Sequence, residues 1–285
     1  MSDLSETGGT RHADLTPWDR AASGWNAHTG AIRAWLRAST DLMLLSAEIG
    51  AGMRVLDVAA GAGDQTLDVA ARVGTGGSVL ATDLSEGSFG YARARAMESG
   101  YGNIETLLCD GQDLPLADAS FDAVVCRLGL MLFPDPARGL AEMHRVVRPG
   151  GKVSVLVFST PENNPCLGIM ASTAAKHGKL TGMDPFRPGS LLSLGRAGEL
   201  EAMFGQAGFS ATVSTTLSAP FMLASARHYI DFVRESGAPV IAMLAHLDTA
   251  AQQEAWAEME QRLASFNTAT GWAGPNELLL VTGTR

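Results

Sequence analysis

The residues best placed to do chemistry are a glycine-containing turn and a distant aspartate. Gly61 and Gly63 come directly after the apolar segment 54–58 and directly before a segment with helical periodicity. Glycine lets a ligand approach the backbone closely, and the start of the next helix offers free N–H groups. Asp83 lies 20 residues beyond Gly63, where a carboxylate can accept hydrogen bonds from both hydroxyls of a ribose. Although a Gly-x-Gly turn alone also occurs in ordinary strand-to-helix connections, the two features together predict a site for a nucleoside-containing cofactor.

Three further residues narrow the class of cofactor. A dinucleotide fingerprint needs a third glycine, and Thr66 stands in that place. Asp57 precedes the turn, where its charge would repel a pyrophosphate but suits an ammonium group. Asp110, at the end of a third apolar segment, can accept a hydrogen bond from an adenine amine. A nicotinamide-dependent dehydrogenase is therefore a weaker hypothesis than an enzyme whose cofactor carries positive charge.

These polar residues need a parallel sheet that brings the ends of neighbouring strands together. Five short apolar segments alternate with stretches of helical periodicity, namely residues 54–58, 78–82, 104–109, 121–126 and 153–158. This alternation predicts βαβ units and a doubly wound α/β sheet, in which ligands bind at the carboxyl ends of the strands. Two later segments, 210–217 and 277–282, predict further strands that allow an antiparallel edge.

Composition excludes several other classes of protein. The 285 residues are 46% hydrophobic and 18% charged, and 21 Lys and Arg against 30 Asp and Glu give a net charge of −9. An acidic chain is a poor ligand for nucleic acid, and no apolar run reaches the roughly 18 residues of a membrane-spanning helix. The first 16 residues lack the basic-then-apolar pattern of a signal peptide, so we expect a cytoplasmic protein without stable membrane insertion. Three widely spaced Cys and six His show no metal-binding spacing, so we expect no metal.

Four segments, in order along the chain, resemble those of class I S-adenosylmethionine-dependent methyltransferases, in particular the small-molecule methyltransferases of the ubiquinone and menaquinone biosynthesis type (methyltransferase type 11). They are residues 55–65 (VLDVAAGAGDQ), 80–85 (LATDLS), 109–126 (CDGQDLPLADASFDAVVC) and 140–153 (LAEMHRVVRPGGKV). The resemblance implies a doubly wound, seven-stranded, Rossmann-like methyltransferase sheet with helical cap insertions. It also implies S-adenosylmethionine as the cofactor and S-adenosylhomocysteine as its product.

The resemblance implies, by position, which residues contact the cofactor. Those expected at the methionine part and the methyl group are Asp57, Ala59, Ala60, Gly61, Ala62, Gly63, Arg127 and Leu128. Those expected at the ribose and the adenine are Asp83, Leu84, Asp110, Gly111 and Gln112. Trp25 takes the place of an aromatic residue in the family's N-terminal element. The family's turn begins with glycine where this chain has Ala59, and an alanine is tolerated there if that position keeps a negative φ.

Residues outside the cofactor motifs supply candidates for the acceptor side of the site. His28 follows Trp25 by three residues on the same helix face and is the first candidate for a general base, although a structural histidine is the simpler interpretation. The further candidates for contact with the acceptor are Met131, Phe133, His177, Phe186, Tyr229 and Glu235. Apolar and aromatic residues at such spacings also occur in ordinary protein cores, so each candidate is a hypothesis.

The segments outside the sheet define the expected organisation of the chain. We expect a mobile tail at residues 1–16, a core at residues 51–158, 193–217 and 277–285, and caps at residues 17–50, 159–192 and 218–276. Apolar caps predict methyl transfer to a small, fairly apolar acceptor in an enclosed pocket. The alternative hypotheses are a methyltransferase acting on protein or RNA and a non-methylating binding module of the same fold. Whether the methylated atom is O, N, C or S, and whether the protein is a monomer or a homodimer, stays open.

Overall fold

The structure, a computed structural model, describes residues 16–285 of the chain. The expected tail (residues 1–16) therefore lies outside the described residues, apart from Thr16 at the start of the first helix. The strands in the described part are β1 (Arg54–Val58), β2 (Ser78–Asp83), β3 (Ile104–Leu108), β4 (Phe121–Arg127), β5 (Val147–Phe158), β6 (Ser210–Ser218), β7 (Phe221–Leu223), β8 (Asn267–Thr268), β9 (Gly271–Gly274) and β10 (Glu277–Thr284).

Seven of these strands form one sheet with the order β3-β2-β1-β4-β5-β10-β6. Strands β1 to β5 are parallel to one another, whereas β10 runs antiparallel to both β5 and β6. The central strand β1 is buried from Val55 to Val58, as expected where helices cover both faces of a parallel sheet. The predicted doubly wound, seven-stranded sheet with an antiparallel edge is confirmed.

Helices flank this sheet and cap it. They are α1 (Thr16–Ala27), α2 (Thr29–Ser46), α3 (Asp64–Val73), α4 (Glu86–Glu98), α5 (Pro136–Val146), α6 (Pro165–His177), α7 (Glu199–Gln206), α8 (Ala226–Ser236), α9 (Ala238–Leu244) and α10 (Thr249–Leu263). From β1 the chain moves towards β3, and from β4 it moves the opposite way, so right-handed crossovers place α3 and α4 on one face and α5 on the other. The loops after β1 and β4 therefore diverge and leave a crevice between them.

The cap combines the first helix with a late helical region. Helix α1 packs on α8, and α10 packs on both α6 and α8. A three-stranded sheet, β7-β9-β8, adds to this region, where the sequence predicts a helical cap insertion. Its anchor is Trp272, which is fully buried and donates a hydrogen bond from Nε1 to the carbonyl oxygen of Leu263 over 2.8 Å.

Candidate active site

A cavity of about 730 Å³ lies at the carboxyl ends of the parallel strands. Its volume is typical of a small-molecule site, and its walls come from the loops after β1 to β4 and from α1 and α2. Most of the residues expected at the cofactor line it, namely Trp25, Ala59, Ala60, Gly61, Ala62, Asp83, Leu84, Asp110, Gly111, Gln112, Arg127 and Leu128. The sheet order thus brings together residues that are far apart in the sequence.

The turn after β1 has a backbone conformation that only partly matches expectation. Gly61 and Gly63 have φ values of 56° and 80°, in the region that glycine adopts at no steric cost. Ala59 also has a positive φ, of 57°, so the condition of a negative φ for an alanine at this position is not met. The left-handed conformation costs a non-glycine residue about 1–2 kcal/mol. Gly129 accommodates the alanine, because a Cβ atom at residue 129 would lie 2.4 Å from the Cβ of Ala59.

Asp83 is the last residue of β2 and binds the glycine turn that follows β1. Its carboxylate accepts hydrogen bonds from the N–H groups of Gly61 and Ser85, each over 2.9 Å. Burial raises the pKa of Asp83, and the backbone N–H groups of Ser85, Gly61 and Leu84 oppose that shift. A carboxylate has about four acceptor positions, so two remain after the hydrogen bonds from Gly61 and Ser85. Asp83 therefore has the acceptor capacity that two ribose hydroxyls need.

The loop after β3 forms the neighbouring part of the wall. Asp110 Oδ1 accepts hydrogen bonds from the backbone N–H of Gln112 over 2.8 Å and from its Nε2 over 3.0 Å. Phe133 packs against this loop, because a Cβ atom at Gly111 would lie 2.5 Å from the Cζ of Phe133. Phe133, a candidate for contact with the acceptor, lines the cavity beside Gly111, at the end where the adenine is expected.

Asp57 does not take the position expected from the sequence. It lies behind the cavity wall, fully buried, and its carboxylate accepts hydrogen bonds from the side chains of Gln65 and Thr66, the latter over 2.6 Å. Burial raises the pKa of Asp57 from 3.8 to about 7, against the opposing effect of these two donors. The expected contact with the methionine part is therefore corrected: Asp57 fixes the first turn of α3 because both of its donors belong to that helix.

Replacing Asp57 with asparagine is expected to flatten the dependence of stability on pH. Since the pKa is raised from 3.8 to about 7 in the folded protein, the native state holds a proton that the unfolded state has lost between these values. The free energy of unfolding of the wild type should therefore fall as pH rises through this window, by about 2 kcal/mol between pH 5 and pH 8. Urea unfolding at several pH values measures this slope. Parallel profiles for the two proteins would contradict the prediction.

Arg127 and Asp64 form an ion pair within the cavity wall. Arg127 ends β4 and donates a hydrogen bond from Nη2 to Asp64 Oδ2 over 2.5 Å, while its Nη1 donates to Thr40 Oγ1 over 2.8 Å. The side chains are only 10% and 9% exposed. Arg127 is predicted from the sequence, whereas Asp64, which lines the cavity at the first position of α3, is not. The sequence signal for Asp64 is an acidic residue at a helix N-terminus. Such a residue is also explained by ordinary stabilisation of the helix.

Helices α1 and α2 form the roof of the cavity. Side chains spaced three or four residues apart face it, namely Trp18, Ala22, Trp25, Thr29, Ile32 and Leu36. Arg95 of α4 holds the junction between the two helices, because its guanidinium donates to Asn26 Oδ1 over 2.5 Å and to the hydroxyl of Thr29. Burial lowers the pKa of Arg95, whose charge faces the cavity. Trp25 thus lines the cavity, and its ring packs edge to face against Phe232 at 5.8 Å between centroids.

His28, the candidate general base, does not line the cavity. Its Nε2 lies 2.9 Å from Glu235 Oε2, and its ring meets Phe232 edge to face at 5.3 Å between centroids. Glu235, a second candidate, is therefore the partner of His28 rather than a wall of the site. The reason is helix geometry: the two side chains meet where α1 ends against α8, on the outer side of the roof.

Four other candidates for acceptor contact also lie away from the cavity. His177 contacts Glu258 over 2.9 Å between α6 and α10, at a separate surface depression. Phe186 lies under the guanidinium of Arg196. Met131 is 1% exposed within the core. Tyr229 is buried among aromatic rings, and burial raises its pKa. In these four cases the side chain packs against other parts of the protein and does not line the cavity.

Two features of residues 16–285 bear on membrane and metal binding. No helix in this part of the chain is long and apolar enough to cross a membrane. Within the same residues, His, Cys, Asp and Glu side chains form no group of three that could hold a metal ion.

The sheet order and the carboxylates at the ends of β2 and β3 define the class of this protein. They are those of a class I S-adenosylmethionine-dependent methyltransferase, as the sequence motifs indicate. A comparison with family models narrows the class: the model of the ubiE/COQ5 methyltransferase family matches residues 30–179, more than half of the chain, and the chain belongs to this family. S-adenosylmethionine is accordingly its cofactor.

Individual relatives resemble the same part of the chain. The ubiquinone/menaquinone biosynthesis C-methyltransferase UbiE of Hahella chejuensis is 38% identical over 135 residues, which are 47% of this chain and 53% of the relative. The enzyme of the same name from Ralstonia pickettii is 40% identical over 116 residues, 41% of this chain and 47% of the relative. The chain thus spans about half the length of the curated relatives it matches.

A solved structure supports the fold over a longer stretch. The YcgJ protein from Bacillus subtilis superposes with a TM-score of 0.59 at 20% identity, covering 87% of this chain and 98% of that one. At this level of identity the likeness concerns the fold alone.

Proposed function

We propose that this protein transfers the methyl group of S-adenosylmethionine to a small, fairly apolar acceptor held in the cavity. The observation that carries the proposal is the apolar roof over polar strand ends. The roof residues are Trp18, Ala22, Trp25, Ile32 and Leu36, and the polar floor includes Asp83 and Asp110. A cavity with an apolar roof and a polar floor suits a polar cofactor beside an apolar ring, because the cofactor can contact the floor and the ring can contact the roof.

The chain's own contribution to the reaction is orientation and the exclusion of water. When bound, S-adenosylmethionine supplies an electrophilic methyl group on its sulfonium sulfur. Asp83 would hold the ribose and Asp110 the adenine amine, which fixes the cofactor relative to the strand ends. Trp25 and Leu36 would keep the acceptor against that position and exclude water. Orientation of two reactants in this way contributes about 7–11 kcal/mol in well-aligned cases.

An aromatic ring with an electron-rich carbon is the acceptor class to test first. The relatives from Hahella chejuensis and Ralstonia pickettii are named as C-methyltransferases of ubiquinone and menaquinone biosynthesis. The family match covers residues 30–179, whereas Trp18, Ala22 and Trp25 of the roof precede it. The family match therefore gives no support to these three roof residues, and a panel of quinols and phenols of different sizes is needed.

A transfer assay with methyl-labelled S-adenosylmethionine tests the proposal. The purified chain is incubated with each quinol or phenol, or with an extract of protein and RNA, and label is counted in the organic phase and in the acid precipitate. We expect label in the organic phase. Label confined to the precipitate would favour a macromolecular acceptor. Binding of S-adenosylhomocysteine without label on any acceptor would favour a non-methylating module.

Replacing Gly24 with alanine is expected to loosen the roof. A Cβ atom at residue 24 would lie 2.1 Å from the carbonyl oxygen of Glu235, so α1 must move away from α8. Overpacking of this kind costs about 1–3 kcal/mol. This cost lowers the free energy of local opening of α1 by a similar amount. Proteolysis within residues 16–28 should therefore become about 10-fold faster. Transfer to the acceptor should slow in parallel.

The matched control for the roof is Gly30→Ala. Gly30 is an exposed residue of α2, and a Cβ atom there would meet nothing within 4 Å. The control should leave both proteolysis and transfer near the wild-type values. Equal effects of the two substitutions would contradict a specific role for the contact between α1 and α8.

A further inference from the structure

One buried carboxylate oxygen in the cavity wall has no partner in the described part of the chain. Asp64 Oδ2 accepts a hydrogen bond from Arg127, but Asp64 Oδ1 is buried and receives none. Leaving a charged oxygen in this state is costly, and buried polar atoms in folded proteins are normally paired. An unpaired oxygen in the lining of a ligand cavity therefore points to a donor on the ligand.

The neighbouring donors are already in use. Gln65 and Thr66, the next two residues of α3, donate their side-chain hydrogens to Asp57. Arg95, which also lines the cavity, donates to the carbonyl oxygen of Ala62 over 3.2 Å as well as to the junction of α1 and α2. The side chains of Gln65, Thr66 and Arg95 thus have hydrogen-bond partners other than Asp64 Oδ1.

The charges around this oxygen match one part of the cofactor. Asp64 and Arg127 place a negative and a positive group side by side at the start of α3. An α-amino acid presents the complementary pair, an ammonium and a carboxylate on one carbon atom. A primary ammonium has three N–H donors and forms charge-assisted hydrogen bonds with carboxylates. The ribose and adenine have acceptors elsewhere, at Asp83 and Asp110, so the amino-acid part is the portion left for Asp64.

We propose that Asp64 Oδ1 accepts a hydrogen bond from the α-ammonium group of the cofactor's methionine part. This inference rests on the proposed function, because it takes the cavity to be the S-adenosylmethionine site. Asp64, at the start of α3, thereby takes the role that the sequence suggests for Asp57, which lies seven residues earlier in β1. The glycine turn makes the contact feasible, because it brings the first residue of α3 to the cavity surface.

Calorimetry with three ligands tests the contact without turnover. S-adenosylhomocysteine carries the ammonium, 5′-S-(3-carboxypropyl)-5′-thioadenosine lacks only that group, and 5′-methylthioadenosine lacks the whole amino-acid part. The wild type should bind the first about 10- to 100-fold more tightly than the second. The Asp64→Asn variant should lose most of this preference, while its affinity for 5′-methylthioadenosine stays within about 3-fold.

The matched control is Asp68→Asn, which removes a carboxylate from the same helix. Asp68 is paired with Arg33 over 2.7 Å and does not line the cavity, so its replacement should leave the ligand preference intact. Equal affinity of the wild type for the ligands with and without the ammonium would overturn the proposal, even if the variant does not fold. So would uniform weakening of all three ligands by Asp64→Asn.

The same titrations separate this proposal from the proposed function. If the wild type prefers the ammonium-bearing ligand and yet labels no acceptor, the contact stands and the transfer function fails. If the wild type binds none of the three ligands, both fail. A retained preference in Asp64→Asn would overturn the contact alone and leave methyl transfer supported.

Discussion

Replacing Asp83 with alanine is expected to weaken the binding of S-adenosylhomocysteine by about 100-fold or more. The carboxylate accepts hydrogen bonds from the N–H groups of Gly61 and Ser85, and it has capacity left for both ribose hydroxyls. Alanine removes the proposed ribose contacts and leaves the turn after β1 without its anchor. Each hydrogen bond to a charged group contributes about 1.5–3 kcal/mol, so losing two accounts for the expected change. Calorimetry measures it directly.

Two further variants make the Asp83 experiment specific. Asp83→Asn keeps the shape of the side chain but must present an NH₂ group to one of the two backbone donors, so it should also bind weakly. Glu86→Ala removes a nearby surface carboxylate that pairs with Arg93 over 3.1 Å, and it should bind normally. Wild-type affinity in Asp83→Ala would refute the ribose contact.

Most of the residues expected at the cofactor line the cavity because their placement depends on local pattern and strand order. Asp83 and Asp110 each follow an apolar segment, and parallel strands bring their carboxyl ends to one edge of the sheet. Asp57 differs, because it lies within β1 rather than after it. A strand covered on both faces shows no alternation of polar and apolar residues. Its sequence therefore does not distinguish a carboxylate that faces the ligand from one that is buried. Only the positions of Gln65 and Thr66 settle its direction.

The acceptor side could not be predicted in the same way. His28 and Glu235 are 207 residues apart, and His177 and Glu258 are 81 apart, yet each pair is in contact. No local pattern encodes such pairings, because they depend on how α8 and α10 pack on distant helices. The small sheet escaped prediction for a different reason. Its strands have three, two and four residues, too few for an alternation of polar and apolar side chains to be recognised.

The second large expected effect is on the stability of the protein, and it arises from the backbone conformation of the glycine turn. Replacing Gly63 with alanine is expected to lower the free energy of unfolding by about 2–5 kcal/mol. Gly63 has a φ of 80°, and a Cβ atom there would lie 2.7 Å from the Cβ of Ala92 in α4. The left-handed conformation contributes about 1–2 kcal/mol of this cost and the steric overlap about 1–3 kcal/mol. Urea unfolding followed by tryptophan fluorescence measures the loss.

Gly52→Ala separates the two contributions. Gly52 has nearly the same φ, 81°, but a Cβ atom there would meet nothing within 4 Å, so only the conformational cost of about 1–2 kcal/mol applies. The difference between the two variants therefore measures how tightly the start of α3 packs on α4. Equal losses would mean that α4 shifts freely away from the turn. A larger loss for Gly63→Ala would mean that α4 fixes the position of the α3 N-terminus, and with it that of Asp64, before any ligand binds.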